Sequence, residues 1–150
     1  DDFKLFILGA HHPKLKDDET YKTEYIRLKT KAQKELDTNV DWQEGFVDWA
    51  KMALYYPASD AVLFPYTRSI SSSWPMALSV WYEVPFLASD VFSQSIDNEL
   101  LLFEKSPIGL ANKIDFFFKN QDKYTDIISQ MRQERLWGEV GKETYNIYKK

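Results

Sequence analysis

The sequence contains no cysteine, only five glycines and two histidines among its 150 residues, and no long apolar run. The absence of cysteine excludes disulfide bonds and thiolate metal sites. No apolar stretch approaches the roughly 18 residues that a membrane-spanning helix needs. Positive charge is not in excess either: the formal net charge is -4, so no nucleic-acid-binding surface is indicated. On this composition a cytoplasmic setting is the default, and peripheral association with a membrane stays open.

What the sequence does contain is typical of a globular protein. Hydrophobic residues make up 44% and charged residues 28%, which is ordinary, whereas aromatic residues are abundant at 16%. A chain of 150 residues can bury a substantial core, and no linker, repeat or low-complexity segment divides it. The chain begins at Asp1 and enters a strand almost at once. We therefore expect residues 1–150 to form a single domain that is a fragment of a longer protein.

The segment Asp60–Asp90 predicts a strand, a polar loop, a helix and a second strand. Ala61–Pro65 and Pro85–Ala88 are short apolar runs of the kind found in strands that are buried on both faces. The helix between them is long enough for one parallel crossover. In such a unit the first loop lies at the carboxyl edge of the sheet, where the start of a helix attracts anions. Ser71–Ser73 would open this helix, so the segment predicts a phosphate-binding turn.

Periodic apolar patterns predict further helices along the chain. The residues from about Asp18 to Leu36 predict an amphipathic covering helix, and Ser106 followed by Pro107 is typical of a helix start. Leu100–Phe103 is predicted to be a last short strand. The residues expected to face the core are Tyr21, Tyr25, Leu28, Ala32 and Leu36, then Ile108, Ala111, Ile114 and Phe118, then Tyr124, Ile127, Ile128 and Met131. The alternation predicts an α/β protein with a Rossmann-like, mostly parallel sheet and helices on both faces.

Several segments, taken in order, resemble the C-terminal half of GT-B-fold retaining glycosyltransferases of the family 4-like type. Phe3–Ala10 is similar to the family's strand that ends in Gly. Val40–Tyr66 is similar to its strand, Gly-Phe-Val turn, short helix and following strand ending at Pro. Tyr82–Asp90 resembles its "Gly-x-Pro-Val-x-Ala-Ser" strand, with Glu83 where Gly is usual, and Leu136–Tyr148 resembles its closing helix. The resemblance covers nearly the whole chain and implies one half of a GT-B fold.

The sequence departs from this family at the two acidic positions that are its most recognisable feature. Counting back from Pro85, the two family Glu positions fall on Ile70 and Leu78. The second family Glu holds the donor ribose hydroxyls, and a leucine side chain accepts no hydrogen bond. Some members instead have a Pro-Tyr strand end followed by a Ser-containing turn, and Pro65, Tyr66 and Ser71–Ser73 resemble that variant.

The resemblance implies transfer of a hexose from a nucleotide sugar to an acceptor, with this chain supplying the donor-binding half. The acceptor, a glycan, a lipid-linked sugar or a small molecule, would be held by a separate N-terminal domain. The fragment alone would then be inactive, and no cofactor or metal is implied. The alternative is a GT-B-like interaction or regulatory module without activity. A receiver domain is disfavoured because Ile7–Ala10 is not followed by the acidic pair that a magnesium site needs.

The candidate site residues fall into three groups, and none of them is assigned a catalytic role. They are Ser71, Ser72, Ser73 and Arg68 for the donor phosphate, Glu44, Gly45, Phe46 and Leu78 for the nucleotide base and ribose, and Gly9, His11 and His12 for the donor sugar. His-based metal sites need further ligands at short spacing, and none stands out.

Each candidate also has a plain structural interpretation. His11 and His12 could be exposed loop residues, the serines could serve as helix caps, and Glu44–Phe46 could be a simple tight turn. Arg68 could be an exposed loop residue. Glu83 is expected to be a solvated residue at a helix end, and the five tryptophans are expected in the core or covering it, with Trp74 the exception that could contact sugar.

Overall fold

The computed structural model describes residues 3–9, 11, 14–68, 70 and 73–149. Strands and α-helices alternate from the first strand to the fourth, three helices follow the fifth strand, and all the paired strands run parallel, which confirms the predicted α/β class. The elements, in chain order, are β1 (Leu5–Gly9), α1 (Glu19–Leu36), β2 (Val40–Glu44), α2 (Trp49–Tyr55), β3 (Val62–Phe64), α3 (Trp74–Trp81), β4 (Phe86–Ser89), β5 (Leu102–Phe103), α4 (Pro107–Phe118), α5 (Gln121–Glu134) and α6 (Trp137–Tyr148).

The chain divides into two compact units, Asp1–Met52 (unit 1) and Ala53–Lys150 (unit 2). Unit 1 contains a two-stranded sheet and unit 2 a three-stranded sheet in the order β3-β4-β5. The expectation of a single domain stays a prediction. No helix in the described part of either unit is long and apolar enough to cross a membrane.

Unit 1 is a parallel β1–α1–β2 unit in which every described residue is half-buried or exposed. Asp18 caps α1, because its side chain accepts a hydrogen bond from the Tyr21 backbone N–H. The predicted inner face of α1 is wrong at Leu28, whose side chain is 46% exposed. Lys29 is half-buried instead, because its ammonium group pairs with Glu44 at the end of β2.

Unit 2 has a dry apolar core around its central strand β4, whose residues are all buried. Helices α3, α4 and α5 contribute one or two side chains each. The core consists of Phe64, Val80, Phe86, Leu87, Ala88, Phe92, Ile96, Leu101, Phe103, Phe117, Tyr124 and Ile128. The apolar runs thus predicted β4 as a strand buried on both faces, whereas two of the three residues of β3 are only half-buried.

Two helix starts of unit 2 were predictable from their capping residues. Ser73 accepts a hydrogen bond from the Met76 N–H, and Ser106 accepts one from the Gly109 N–H, with Pro in the first turn of each helix. The strand predicted over Leu100–Phe103 is shorter than expected. It covers Leu102–Phe103, because the preceding Glu99–Leu101 forms a 3-10 turn capped by Asn98.

The predicted core face is correct for α5, whereas for α4 it is correct at Ile114 and wrong at Ile108 and Phe118. In α5, Tyr124 and Ile128 are buried, with Ile127 and Met131 packed beside them. In α4, by contrast, Ile108 is 74% and Phe118 is 55% exposed, whereas Phe117 is 1% exposed. The core face of α4 runs through Leu110, Ile114 and Phe117. Apolar residues occupy more than one stripe of this helix, so periodicity alone could not select the buried one.

The expectation that tryptophans lie in or over the core is wrong for most of them. Trp42 is half-buried in unit 1. The others are largely exposed, at 58% for Trp49, 60% for Trp74, 65% for Trp81 and 89% for Trp137. The apolar core of unit 2 therefore uses phenylalanine, leucine and tyrosine rather than tryptophan.

Candidate functional site

The carboxyl edge of the unit 1 sheet brings together three residues that the sequence nominated. Gly9 and Glu44 are register partners at the ends of β1 and β2. The Gly45 N–H donates to the Gly9 carbonyl at 2.9 Å, and Gly45 has φ +109°, a conformation that favours glycine. In open parallel sheets this edge is where ligands bind. Gly9, Glu44 and Gly45 therefore lie together at a position suited to a site.

A layer of polar and aromatic side chains lies at this edge, and we call it the edge cluster. Its members are His11, Tyr21, Tyr25, Lys29, Trp42 and Glu44. The Trp42 indole Nε1–H donates to the Tyr25 hydroxyl at 2.7 Å, and the two rings meet edge to face. The rings of His11 and Tyr25 also meet edge to face, with their centroids 4.3 Å apart. Tyr25 is therefore held on two sides.

Glu44 is held as a carboxylate by its neighbours in the edge cluster. The Lys29 Nζ donates to Glu44 Oε1 at 2.7 Å, and this hydrogen bond is the main reason that the pKa of Glu44 is lowered. The Tyr25 hydroxyl and the His11 ring lower the pKa further. Burial raises the pKa of Tyr25, against the opposing effect of the hydrogen bond from Trp42. The edge cluster thus presents the ionised carboxylate of Glu44 as a hydrogen-bond acceptor, and the positive charge of Lys29 balances its negative charge.

The remaining candidates in unit 1 take different positions. His11 is half-buried against Tyr21 and Tyr25 rather than exposed in a loop, and its Nδ1 is shielded from solvent without a hydrogen-bond partner among the described residues. The side chain of Phe46 is 84% exposed. His12 lies outside the described residues. Of the two histidines that were predicted to contact the donor sugar, only His11 can therefore be assigned to the edge cluster.

Unit 2 has a second carboxyl edge, where the predicted phosphate-binding residues belong. Ser73 starts α3 as its N-cap, and Arg68 is exposed in the loop that follows β3. Lys105 follows β5 and reaches this loop, because its Nζ donates to the Thr67 carbonyl at 3.4 Å. Ser71 and Ser72 lie outside the described residues. Two cations, Arg68 and Lys105, are therefore associated with the loop that leads into α3.

Lys105 was missed by the sequence reasoning, although a signal for it existed. It comes two residues after the end of β5, and the ends of adjacent parallel strands meet at one edge. The Ser89 hydroxyl at the end of β4 donates to the Tyr66 carbonyl at 2.6 Å, which ties the loop after β3 to the central strand. The strand ends of unit 2 thus form one connected edge.

The two positions at which the family's acids are missing differ in exposure. Leu78 is buried, with 5% of its surface exposed, so its side chain packs in the interior of unit 2 and offers nothing to a ribose. Ile70 is 44% exposed. Leu78 was correctly predicted to be a packing residue, and it therefore cannot belong to a ribose-binding surface.

Glu83 is not the simple solvated residue that the sequence suggested. Its carboxylate pairs with Arg132 and accepts a hydrogen bond from Ser129, both on α5. Its backbone has φ 56°, in the left-handed region that usually favours glycine. Glu83 thus turns the chain between α3 and β4 and fastens that turn to α5.

No group of three or more His, Asp or Glu side chains suited to a metal ion occurs within the described ranges. Comparisons with protein-family models and with curated proteins found no match for this chain. Each carboxyl edge is therefore a candidate site on its own geometry, one in unit 1 and one in unit 2.

Proposed function

We propose that this chain is the donor-binding part of a retaining glycosyltransferase with a GT-B fold, and that unit 2 binds the diphosphate of a nucleotide sugar. The observation that carries this proposal is the parallel β3–α3–β4 crossover, with α3 capped by Ser73 at the carboxyl edge. The first backbone N–H groups of a helix and its dipole favour an anion there. Arg68 and Lys105 would add two positive charges beside it.

The chemistry suited to this arrangement is stabilisation of a departing nucleoside diphosphate. When the hexose passes to an acceptor hydroxyl, the bond between its anomeric carbon and the diphosphate breaks, and negative charge grows on the phosphate oxygens. Fixed donors aimed at such developing charge are often the largest catalytic contribution. Arg68 can donate through two parallel N–H groups, whereas Lys105 acts as a point charge. The acceptor would be held by another domain.

The backbone at Glu83 adds support to the resemblance. The family usually has glycine at this position, and the structure requires a left-handed conformation there. The sequence keeps the family's turn while replacing its favoured residue, and the Glu83–Arg132 ion pair with the Ser129 hydrogen bond helps to hold the strained residue. A left-handed residue between α3 and β4, at a position where the family usually has glycine, therefore supports the proposal.

Calorimetric titration with UDP, GDP and ADP, and with their sugar conjugates, tests the proposal. A diphosphate should bind at least tenfold more tightly than its nucleoside, because charged hydrogen bonds contribute about 1.5–3 kcal/mol each. Arg68→Gln and Lys105→Gln should each weaken the diphosphate about tenfold on the same basis. Lys119→Gln, an exposed lysine at the C-terminal end of α4, is the matched control. Equal binding of nucleoside and diphosphate would contradict the proposal.

A GT-B-like module without transferase activity is the second candidate. The burial of Leu78 favours it, because the ribose contact that the family makes at this position is lost. A folded chain that binds none of the three diphosphates would support this alternative.

A further inference from the structure

The outer side of α3 carries two exposed tryptophans in one line. Trp74 begins the helix and Trp81 ends it, so the two side chains project from the same side, about 10 Å apart along the helix axis. Trp74 is 60% exposed and Trp81 is 65% exposed. Ala77 lies between them and is also exposed, and its small side chain does not separate the two indoles. We call Trp74, Ala77 and Trp81 the tryptophan face.

The two indoles lie outside the apolar core of unit 2. The other side of α3 packs into the interior through Leu78, Ser79 and Val80, which are all buried. An exposed indole contributes little hydrophobic stabilisation, and neighbouring exposed apolar side chains typically mark a binding surface. Helix α3 contains no charged residue. The tryptophan face therefore favours an uncharged ligand.

A pair of polar side chains lies beside the Trp81 end of this face. The Arg132 guanidinium lies over the Trp81 ring, with its Cζ 5.9 Å from the ring centroid, and Arg132 also pairs with Glu83. The Arg132 and Glu83 side chains are 36% and 38% exposed, so both remain accessible to a ligand. A guanidinium donates hydrogen bonds and a carboxylate accepts them, and the pair carries no net charge. These two side chains can therefore bind neutral hydroxyl groups next to an aromatic ring.

An aromatic face with a neutral polar rim is suited to a sugar. One face of a pyranose ring exposes C–H groups, which pack on the electron-rich face of an indole, while the hydroxyl groups at its edge reach polar side chains. The available area argues against a protein partner. Two indoles exposed to this extent offer about 300 Å², whereas a stable protein interface buries about 800 Å² on each partner.

The spacing of the two indoles selects the shape of the sugar chain. In an extended β-1,4-linked glycan successive rings alternate in orientation, so every second ring presents the same face. The distance between such rings is close to the two helical turns that separate Trp74 from Trp81. A straight chain can therefore cover both indoles, whereas a chain that coils, such as an α-1,4-linked glucan, departs from the line of the helix.

We propose that the tryptophan face binds an extended β-1,4-linked glycan, with one sugar ring on Trp74 and the second ring after it on Trp81. Glu83 and Arg132 bind the hydroxyl groups of the sugar on Trp81. All these residues belong to unit 2, so the site needs no contact with unit 1. Only the role of this glycan as the acceptor of transfer rests on the proposed function.

The length of the glycan provides the test. The full chain is titrated with cellobiose and with cellotetraose, and binding is followed by the indole N–H signals of Trp74 and Trp81 in nuclear magnetic resonance spectra, assigned with Trp→Phe variants. A disaccharide reaches one indole and a tetrasaccharide reaches both, so cellotetraose should bind at least about tenfold more tightly. Maltotetraose, whose α-1,4 linkages bend the chain, should bind more weakly than cellotetraose.

Variants separate glycan binding from folding. Trp81→Ala should weaken cellotetraose about tenfold or more, to near the affinity for cellobiose. Trp137→Ala removes an indole of α6 that is 89% exposed, and this matched control should leave the affinity unchanged. Ala77→Gln keeps both indoles but places a longer side chain between them, so it should also weaken cellotetraose. The melting temperatures of all three variants should stay close to that of the original protein, because the substituted side chains are exposed.

The outcomes distinguish this site from the proposed function. Equal affinity for cellobiose and cellotetraose, or unchanged cellotetraose binding in Trp81→Ala, overturns the glycan site. Tighter binding of maltotetraose also overturns it. Self-association in analytical ultracentrifugation that Trp81→Ala abolishes would do the same, because the tryptophan face would then be a protein interface.

The two sites can also fail independently. If cellotetraose binds to the tryptophan face and UDP does not bind, the glycan site stands and the diphosphate part of the proposed function fails. If UDP binds through Arg68 and cellotetraose does not bind, the glycan site alone is overturned.

Discussion

Unit 2 encloses its apolar residues around a buried central strand, whereas unit 1 leaves every described residue half-buried or exposed. The number of strands explains much of this difference, because β4 has a neighbour on each side and the strands of unit 1 do not among the described residues. Two-stranded pairings are marginal by themselves. The interior of unit 1 is made of rings that carry hydroxyl and N–H groups, with the ion pair of Lys29 and Glu44 beside them.

The comparison shows that the two units depend on different interactions. Unit 2 should respond to changes in side-chain volume, because a close-packed core tolerates neither cavities nor added atoms. Unit 1 should respond to the loss of hydrogen-bond partners and to pH. Substitution of the same residue type can therefore change stability in opposite directions in the two units, and tyrosine shows this most clearly.

The largest effect is expected from Phe86→Ala in β4, where the side chain is fully buried. Removing it should lower the free energy of unfolding by about 3–5 kcal/mol, through lost burial and the cavity left behind. Phe46→Ala in unit 1 is the control, because that ring is 84% exposed and its loss should change stability by no more than about 0.5 kcal/mol. Urea unfolding measures the free energy of unfolding of both variants. Equal losses of stability would contradict the proposed difference between the two units.

Two glycines of unit 2 test how tightly its elements are packed. A Cβ at Gly109 would lie 2.9 Å from Glu104 Cβ and would overlap the Glu104 carbonyl oxygen. Gly109→Ala should therefore destabilise the protein by about 1–3 kcal/mol. Gly138→Ala in α6 meets nothing within 4 Å and should stabilise its helix by up to about 1 kcal/mol. Thermal unfolding of both variants measures these effects. Changes of the same sign in the two melting temperatures would contradict the prediction.

Tyrosine-to-phenylalanine substitutions should have opposite signs in the two units. The Tyr124 hydroxyl is buried in unit 2 without a partner among the described residues, so Tyr124→Phe should stabilise by about 1 kcal/mol. The Tyr25 hydroxyl accepts from Trp42, so Tyr25→Phe should destabilise by about 0.5–1.5 kcal/mol. Chemical denaturation provides the measurement. A stabilising Tyr25→Phe would mean that the edge cluster is not a satisfied network.

Alkaline pH should weaken unit 2 through Tyr56. Burial raises the pKa of Tyr56 from 10.0 to about 12, and its hydroxyl donates to the Pro75 carbonyl at 2.8 Å. Between these pH values the unfolded chain releases the phenolic proton while the folded chain retains it, so stability falls as the pH rises. Unfolding curves across this range should show the decline, and Tyr56→Phe should flatten it. An unchanged slope in that variant would exclude Tyr56 as the cause.

Acidic pH should weaken unit 1 slightly through Glu44, the smallest of these effects. Its pKa is lowered from 4.5, mainly by the hydrogen bond from Lys29, so its contribution is present above that value and is lost as the pH falls through the folded-state pKa. Lys29→Met should raise the pKa of Glu44 and reduce the acid sensitivity. Titration by carboxyl carbon shifts measures this, with Lys31→Met as the control on the exposed face of α1. An unmoved Glu44 pKa would contradict the ion pair.

The sequence by itself determined the class and order of the elements. Capping residues act within one helical turn, so Asp18, Ser73 and Ser106 marked helix starts that the structure confirms. The apolar run at Pro85–Ala88 similarly predicted a strand buried on both faces. The edge position of Gly9 and Glu44 follows from the parallel strand order, since parallel strands end at the same edge.

Only the tertiary structure decided which faces became buried and which charges met. Helix α4 has apolar residues on more than one stripe, and contact with the sheet and α5 selected Phe117 over Phe118. The helical spacing of α1 predicted that Leu28 faces the core. Lys29 lies on the half-buried face instead, because it pairs with Glu44 at the end of β2. Glu83 pairs with Arg132, which lies 49 residues later in the chain. These outcomes depend on pairings between distant segments, which sequence periodicity does not encode, because it describes one element at a time.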